Sequence, residues 1–369
     1  MRTPICDLIG INVPIFAFSH CRNVVAEISR AGGFGVLGTS RFTPEQLEIE
    51  LSWLDKETKG NPYGVDLIFQ FGIEELSVDE FRKKLPLEHR KFVADLINRF
   101  EIPSSKGMSE EQFGLGTNLY MSTQHARKSV EVALRHRIKL IASALGPLPN
   151  DIVRIAKEKN ILVAGLVGRP EHVIHHIKNG TDIIVATGSE AGGHCGEIGS
   201  MVLVPQIVAV AENLPVLAAG GISTGNQIVA SLALGAQGVW TGSVWLPTFE
   251  SDIHPIVKEK LIQAKSTDSI RSSCITGKPS RQLKTPWIEA WENTDAPKPL
   301  PSPLQGILTS GVLIGAYENE IQDLMGTPVG QGVGLLNSMD RVRDVMYRMF
   351  EEYYESSERI GILFRKSDQ

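Results

Sequence analysis

The sequence predicts a (β/α)8 barrel, and three observations carry that prediction. Short β-rich runs bounded by glycine or proline alternate with helical stretches, there are eight such runs, and the helical stretches are about long enough to cross over between parallel strands. In chain order the runs are PIFAFS (14–19), FGVLGTS (34–40), YGVDLIF (63–69), IKLIASALG (138–146), ILVAGLVG (161–168), DIIVATGS (182–189), PVLAAGG (215–221) and GVWTGSVW (238–245). Between them TPEQLEIELSWLDKETK, HARKSVEVALRHR, DIVRIAKEKN, RPEHVIHHIKNG and GNQIVASLALG place apolar residues every three or four positions, the helical period. Strand and helix repeated eight times close into a barrel.

Two segments break the rhythm. Residues 71–124 hold one charged helical piece, DEFRKKLPLEHRKFVADLINRF, and the loop EIPSSKGMSEEQFGLG, which reads as an insertion above or beside the barrel. Residues 246–334 are rich in proline and polar residues and read as a helical cap, followed over 335–369 by an amphipathic stretch that returns as the last outer helix. The preferred parse is one barrel, 1–245, with this cap; two domains meeting near residue 247 stay open as the alternative.

Composition narrows the function classes. The chain has 369 residues, with 37 basic against 42 acidic side chains and a net charge of −5, so nothing favours nucleic acid as a partner. Its apolar runs fall short of the roughly 18 residues that cross a bilayer. No secretory signal is visible at the N-terminus, which predicts a cytoplasmic protein without a membrane partner. Cys6, Cys21, Cys195 and Cys274 show no metal-binding spacing and are expected to be thiols. A small-molecule substrate is the expected partner, with self-association into a homodimer left open.

Glycine and histidine point to the site. Gly33, Gly35 and Gly38 form a GxGxxG string, but a helical stretch precedes it and FGVLG is itself a strand, the reverse of the dinucleotide motif. The loops after the seventh and eighth strands, AAGGIST and TGSVW, are where barrels of this kind bind phosphate, so Gly220, Gly221, Gly242 and Ser243 are the expected phosphate ligands. The sixth strand ends in TGSEAGGHCGEIG, which sets His194 at the same mouth as a candidate acid/base. Gly192 and Gly193 would let a flat cofactor approach the backbone. Cys195 reads as a spacer, and His172 and His176, although four residues apart on a helix, read as a solvated face rather than a metal pair.

SEAGGHCGE, LVPQIV, PVLAAGGIS and LGAQGVWTGS, in this order, resemble the nitronate monooxygenase family of FMN-dependent barrels. The resemblance runs from PIFAFS to about residue 285, including ESDIHPIVKEKLIQA, while 71–124 and 286–334 carry no matching motif. It implies FMN with its phosphate on Gly220, Gly221, Gly242 and Ser243, its ring near Gly192, Gly193 and the first-strand loop (Phe18, Ser19, His20), and His194 as the active-site histidine. It further implies oxidation of alkyl nitronates with O2. Two positions depart from the family pattern. Ser19 and His20 stand where proline and methionine are usual, making His20 a second polar group over the ring or a sign of another substrate. Asp66 stands where asparagine is common, adding negative charge near the flavin or pairing with a base.

Two further readings compete. The FMN-dependent enoyl reductases share EAGGH and AAGGI, so an NAD(P)H-dependent flavin reductase acting on a quinone or an enoyl thioester fits the same motifs, with NAD(P)H as reductant. A flavin-binding protein without turnover would leave His194 idle.

Overall fold

The computed structural model describes residues 1–69, 78–106 and 123–365. Its strands are β1 (Ile15–Ser19), β2 (Phe34–Gly38), β3 (Tyr63–Leu67), β4 (Leu140–Ser143), β5 (Leu162–Val167), β6 (Ile183–Thr187), β7 (Gly193–His194), β8 (Val216–Ala219), β9 (Gly238–Thr241), β10 (Ser269–Ser272) and β11 (Ser280–Leu283). All but β7, β10 and β11 are parallel staves of one closed barrel, in which β9 pairs back onto β1 with Phe16 opposite Trp240. The eight predicted strands are these staves, trimmed at their ends. At GVWTGSVW the strand stops at Thr241, and Ser243–Trp245 forms a single 3-10 turn.

The staves are buried on both faces, which is why they read as continuous apolar runs. Phe16, Phe34, Val36, Leu140, Ala142, Val185, Leu217 and Trp240 fill the interior, together with Ile5, Cys6 and Ile9 of the helix Pro4–Ile9. Leu37, Val65 and Ile141 instead face the outer helices. Because Tyr63, Val65 and Leu67 all pack outward, strand alternation turns Asp66 inward, opposite Gly38 of β2 and Ala142 of β4.

Outer helices form where caps and apolar spacing agree. Pro44–Glu57 starts on a reciprocal box, Thr43 Oγ1 accepting from Gln46 N–H (3.2 Å) and Gln46 Oε1 from Thr43 N–H (2.9 Å), and buries Leu47, Leu51 and Leu54. Val342–Arg365 packs against Gly225–Ala233 and Arg22–Arg30, at the place of the eighth outer helix. Gly225 makes this close approach possible, since a side chain there would collide with the backbone at Met349.

A second layer covers one side of the barrel. Helices Val78–Lys83 and Leu87–Arg99 lie against Leu304–Glu318, and Val93, Leu96 and Ile102 share a core with Trp287, Trp291 and Leu313. Phe92 meets Trp291 edge-on at 4.8 Å between ring centroids. The interrupting segments thus pack on each other. Of the predicted insertion, 70–77 and 107–122 lie outside the described residues, including most of the EIPSSKGMSEEQFGLG loop. The 246–334 stretch is helical over Pro255–Gln263, Pro286–Trp291 and Leu304–Glu318, with an antiparallel pair, β10–β11, added to it.

One histidine reading is corrected here. His172 is exposed, but His176 is buried and its Nδ1 lies 3.2 Å from Thr181 Oγ1, because Gly165 of β5 leaves a hole that the imidazole fills. The two rings therefore do not share a solvated face. Among the described residues no cluster could hold a metal ion, and no helix is long and apolar enough to cross a membrane.

Candidate active site

The helix Pro4–Ile9 packs into the barrel interior at the N-terminal end of the staves, leaving the C-terminal rim as the mouth. On one side of this mouth lie the loops after β8 and β9. Gly220 and Gly221 take positive φ values of 117° and 67°, and Gly242 has open space where a side chain would stand. Among the described residues the N–H groups of Gly221, Ile222, Gly242 and Ser243 find no acceptor. The amides just beyond are satisfied: Ser223 and Thr224 donate to Gln227 Oε1 (2.8 and 3.1 Å), and Gly225 donates to Glu352 Oε2 (2.7 Å). Four unclaimed donors beside open space fit a phosphate, and the capped helix behind them holds the loop in place.

The loop after β6 carries His194. Glu190 spends its carboxylate as the cap of helix Ser200–Val210, accepting from Ser200 N–H (3.0 Å) and Ser200 Oγ–H (2.7 Å). Arg281 of β11 donates from Nε to Ser189 O and from Nη1 to Ser269 O, both at 2.7 Å, tying this loop to the added sheet. Gly193 and His194 are then drawn out as β7, antiparallel to β11, with His194 opposite Ser280. His194 thus belongs to a short second sheet rather than to the end of the sixth stave.

The half-buried His194 ring has its Nδ1 3.2 Å from Pro279 O. A carbonyl only accepts, so Nδ1 carries the hydrogen. Burial, with the nearby charge of Lys278, pushes the imidazole below its ordinary 6.5, so the neutral ring prevails and Nε2 keeps its lone pair.

The remaining expected cofactor residues fare differently. Gly193, at φ 75°, has open space around it. Gly192 does not: a Cβ there would lie 2.7 Å from Gly330 N, so its clearance is used by a neighbouring loop rather than by a flat ring. Ser243 Oγ accepts from Gly330 N–H at 2.8 Å, and Ser19 Oγ accepts from Cys21 N–H at 3.0 Å, so both hydroxyls have work within the fold. Cys195 is half-buried and donates to Ser189 O at 3.5 Å.

His20 and Asp66 belong to the β1–β3 part of the mouth, which adjoins the β9 loop because β1 pairs with β9. The His20 ring meets Phe18 edge-on at 5.1 Å, and its Nδ1 lies 2.9 Å from Gly38 O. Gly38 must lack a side chain, since a Cβ would stand 2.6 Å from that nitrogen. Burial first, then the cation Arg41, lower His20 to about 3, so it is a neutral group. Asp66 is buried, its Oδ1 has no partner, and burial alone raises its carboxyl to about 7. Among the described residues no base pairs with it, and near neutral pH it is about half protonated rather than a fixed negative charge.

Sequence reasoning missed the loop PVGQGVGL (328–335) altogether. Gln331 N–H donates to Glu190 O at 2.9 Å, and Gly332 sits so close to the β8 loop that a Cβ would be 2.6 Å from both Gly221 O and Ser223 Oγ. This segment therefore joins the loops after β6, β8 and β9 into one wall. The available signal was glycine at every second position, 330, 332 and 334.

A parallel barrel with glycine loops after its last two staves and a neutral histidine beside them belongs to the cofactor-dependent barrel enzymes. Residues 2–352 match the nitronate monooxygenase family, and the chain belongs to it. That membership makes the protein a flavin-dependent oxidoreductase. A Mycobacterium tuberculosis protein named as a monooxygenase is 44% identical over 367 residues, covering 96% of this chain and 97% of that one. A Staphylococcus saprophyticus protein named "Probable nitronate monooxygenase" is 30% identical, covering 85% of this chain and 86% of its own length. Among solved structures, nitroalkane oxidase from Streptomyces ansochromogenes shares the fold (TM-score 0.79, 22% identity, 96% of this chain and 99% of that one). FabK from Thermotoga maritima is similar over 98% of each chain (TM-score 0.73, 26% identity).

Proposed function

We propose that this flavoprotein is a nitronate monooxygenase in activity, oxidising alkyl nitronates with O2 on FMN whose phosphate rests on the amides of Gly221, Ile222, Gly242 and Ser243. The observation that carries the reading is the state of His194: neutral, Nδ1 committed to Pro279 O, Nε2 left as an acceptor. Such a nitrogen can take the proton from the carbon beside the nitro group of a neutral nitroalkane, leaving the C–H electron pair on the nitronate and so making the proposed substrate within the site; a nitronate supplied as such needs no base. Pro279 O holds the tautomer, and Arg281 holds the loop. FMN, when bound, supplies the acceptor for the electrons that the nitronate gives up and the place where O2 reacts.

A reductase using NAD(P)H is the second reading, favoured by the likeness to FabK over nearly the whole chain. Oxygen uptake separates the two: the proposal expects uptake with ethyl nitronate in the absence of any nicotinamide, and uptake that requires NADH or NADPH would favour the reductase. The phosphate assignment has its own check. Gly242→Glu enters open space and should purify colourless, with like charges excluding the phosphate, while its circular dichroism spectrum matches wild type. Yellow protein with full FMN would remove the assignment.

A further inference from the structure

Asp66 stands at the top of the barrel interior, one residue short of the end of β3. Below it the interior is apolar: Gly64, the next inward position down β3, packs on the Phe34 ring, with Val36, Leu140 and Ala164 in the same core. Beside it on the neighbouring staves are Gly38, which has no side chain, and Ala142, which has only a methyl group. The Ser143 hydroxyl is spent on Gly146 O at 2.6 Å. Thr39 donates from both N–H and Oγ1 to the backbone carbonyl of Asp66, each at 3.0 Å, so the stave is fixed while its carboxyl is left alone.

Asp66 is only 6% exposed, and its Oδ1 is buried with no hydrogen-bond partner among the described residues. A buried acceptor in that state costs free energy, and with an apolar floor and two bare neighbours the missing partner must come from the mouth above. Gly38 shows what borders that opening. A Cβ on Gly38 would lie 2.6 Å from His20 Nδ1 and 2.7 Å from Phe18 Cζ. Register partners on adjacent parallel strands turn the same way, about 4.8 Å apart, so the Asp66 carboxyl adjoins the rings of Phe18 and His20. This is the part of the mouth where the family resemblance puts the flavin ring.

The groups that face Asp66 carry no charge of their own. His20 is neutral, with its Nδ1 on Gly38 O, and the cation Arg41 acts on His20 but not on Asp66. β4 presents no titratable side chain. The carboxyl therefore answers to whatever charge appears above it, and burial alone already brings it to about 7, where a small push changes its state.

We propose that Asp66 is the proton partner of the flavin: when the ring takes two electrons and a proton at N5, Asp66 takes a second proton from solvent and returns it when the ring is reoxidised. Two electrons and two protons enter in all, leaving one negative charge on the ring and a neutral acid in place of the carboxylate. Negative charge on the ring disfavours a carboxylate beside it, and that repulsion draws the proton in. The coupling rests on the seating of the flavin given above; it does not depend on a nitronate as the source of the electrons.

The midpoint potential of the flavin-loaded protein, followed with dithionite and reference dyes across neutral pH, tests this without any substrate. Well below pH 7 both side chains are neutral, and the potentials of wild type and Asp66→Asn should run parallel. Above that value the wild-type potential should fall more steeply by about 30 mV per pH unit, the equivalent of a tenfold change in K for two electrons, so that the variant is easier to reduce at alkaline pH. A second readout needs no electrons: the absorbance of the oxidised flavin should shift with a midpoint of about 7 in wild type and not in Asp66→Asn. Potentials that stay parallel throughout overturn the proposal, as does a flavin absorbance that titrates identically in the two proteins. Divergent potentials in protein that takes up no oxygen with ethyl nitronate would uphold the coupling and remove the nitronate reading instead. Loss of flavin from Asp66→Asn with an unchanged circular dichroism spectrum would make Asp66 a part of the flavin's seat alone and end the proposal.

Discussion

The barrel and the layer that covers it were built from different kinds of information. Each stave is a run of five or so apolar residues whose partner is the next stave but one helix away, so local pattern suffices to find it. The outer layer joins Val93 and Leu96 to Trp287, Trp291 and Leu313, residues far apart in the chain, and no local period announces that contact. Yet this layer sets much of the chemistry. Pro279 O fixes the His194 tautomer, and Gly330 and Gly332 close the wall around the loops after β8 and β9. The barrel supplies positions at the mouth; the layer decides what they can do.

The first way to break that comparison is at His194, where the layer acts on the barrel. His194→Ala should keep its flavin and lose roughly 100- to 10,000-fold in turnover of a neutral nitroalkane, the range for a removed general base. Because the neutral form is the active one and burial holds its pKa below 6.5, wild-type rate should persist as pH falls through 6.5 and drop only below the lowered value. Full activity in the variant would remove the histidine from the proposed reaction.

Next in size is the layer's own core. Trp287 is completely buried, and Trp287→Ala should cost on the order of 3–5 kcal/mol in chemical denaturation. If the layer positions Pro279, this variant should also impair turnover more than it impairs flavin retention; equal losses would mean that the two regions unfold as one.

The smallest effect belongs to the barrel interior. Asp66 has an ordinary value of 3.8 and is raised to about 7 in the fold, so the folded form keeps a proton that the unfolded chain releases between those limits. Its contribution therefore weakens the fold as pH rises from about 4 to 7. Asp66→Asn should remove that slope and stabilise flavin-free protein at pH 8 by on the order of 2–4 kcal/mol. The buried His20 and His176, lowered to about 3 and about 4, act with the opposite sign: the unfolded chain binds their protons first, so stability falls as pH drops from about 6.5 toward 4. An unchanged pH slope in the variant would show that Asp66 has another partner.

What could be read from the sequence follows the same division. The staves, the GGI and TGS turns and the histidine in AGGH were legible because a strand end plus glycine has local meaning. The packing of Gly192 against Val329 and Gly330 was not legible, since both are remote in sequence. Glu190, four residues before His194, is a helix cap, a role set by Ser200 ten residues on and not legible locally. PVGQGVGL has no period of its own, and its glycines acquire a purpose only against Gly221 and Gly192.

The central claim is that nitronates reduce the flavin directly. Purified protein mixed without oxygen with ethyl nitronate, and separately with NADH and NADPH, tests it by the yellow absorbance. The account predicts bleaching by the nitronate alone; bleaching by a nicotinamide with no response to the nitronate would contradict it.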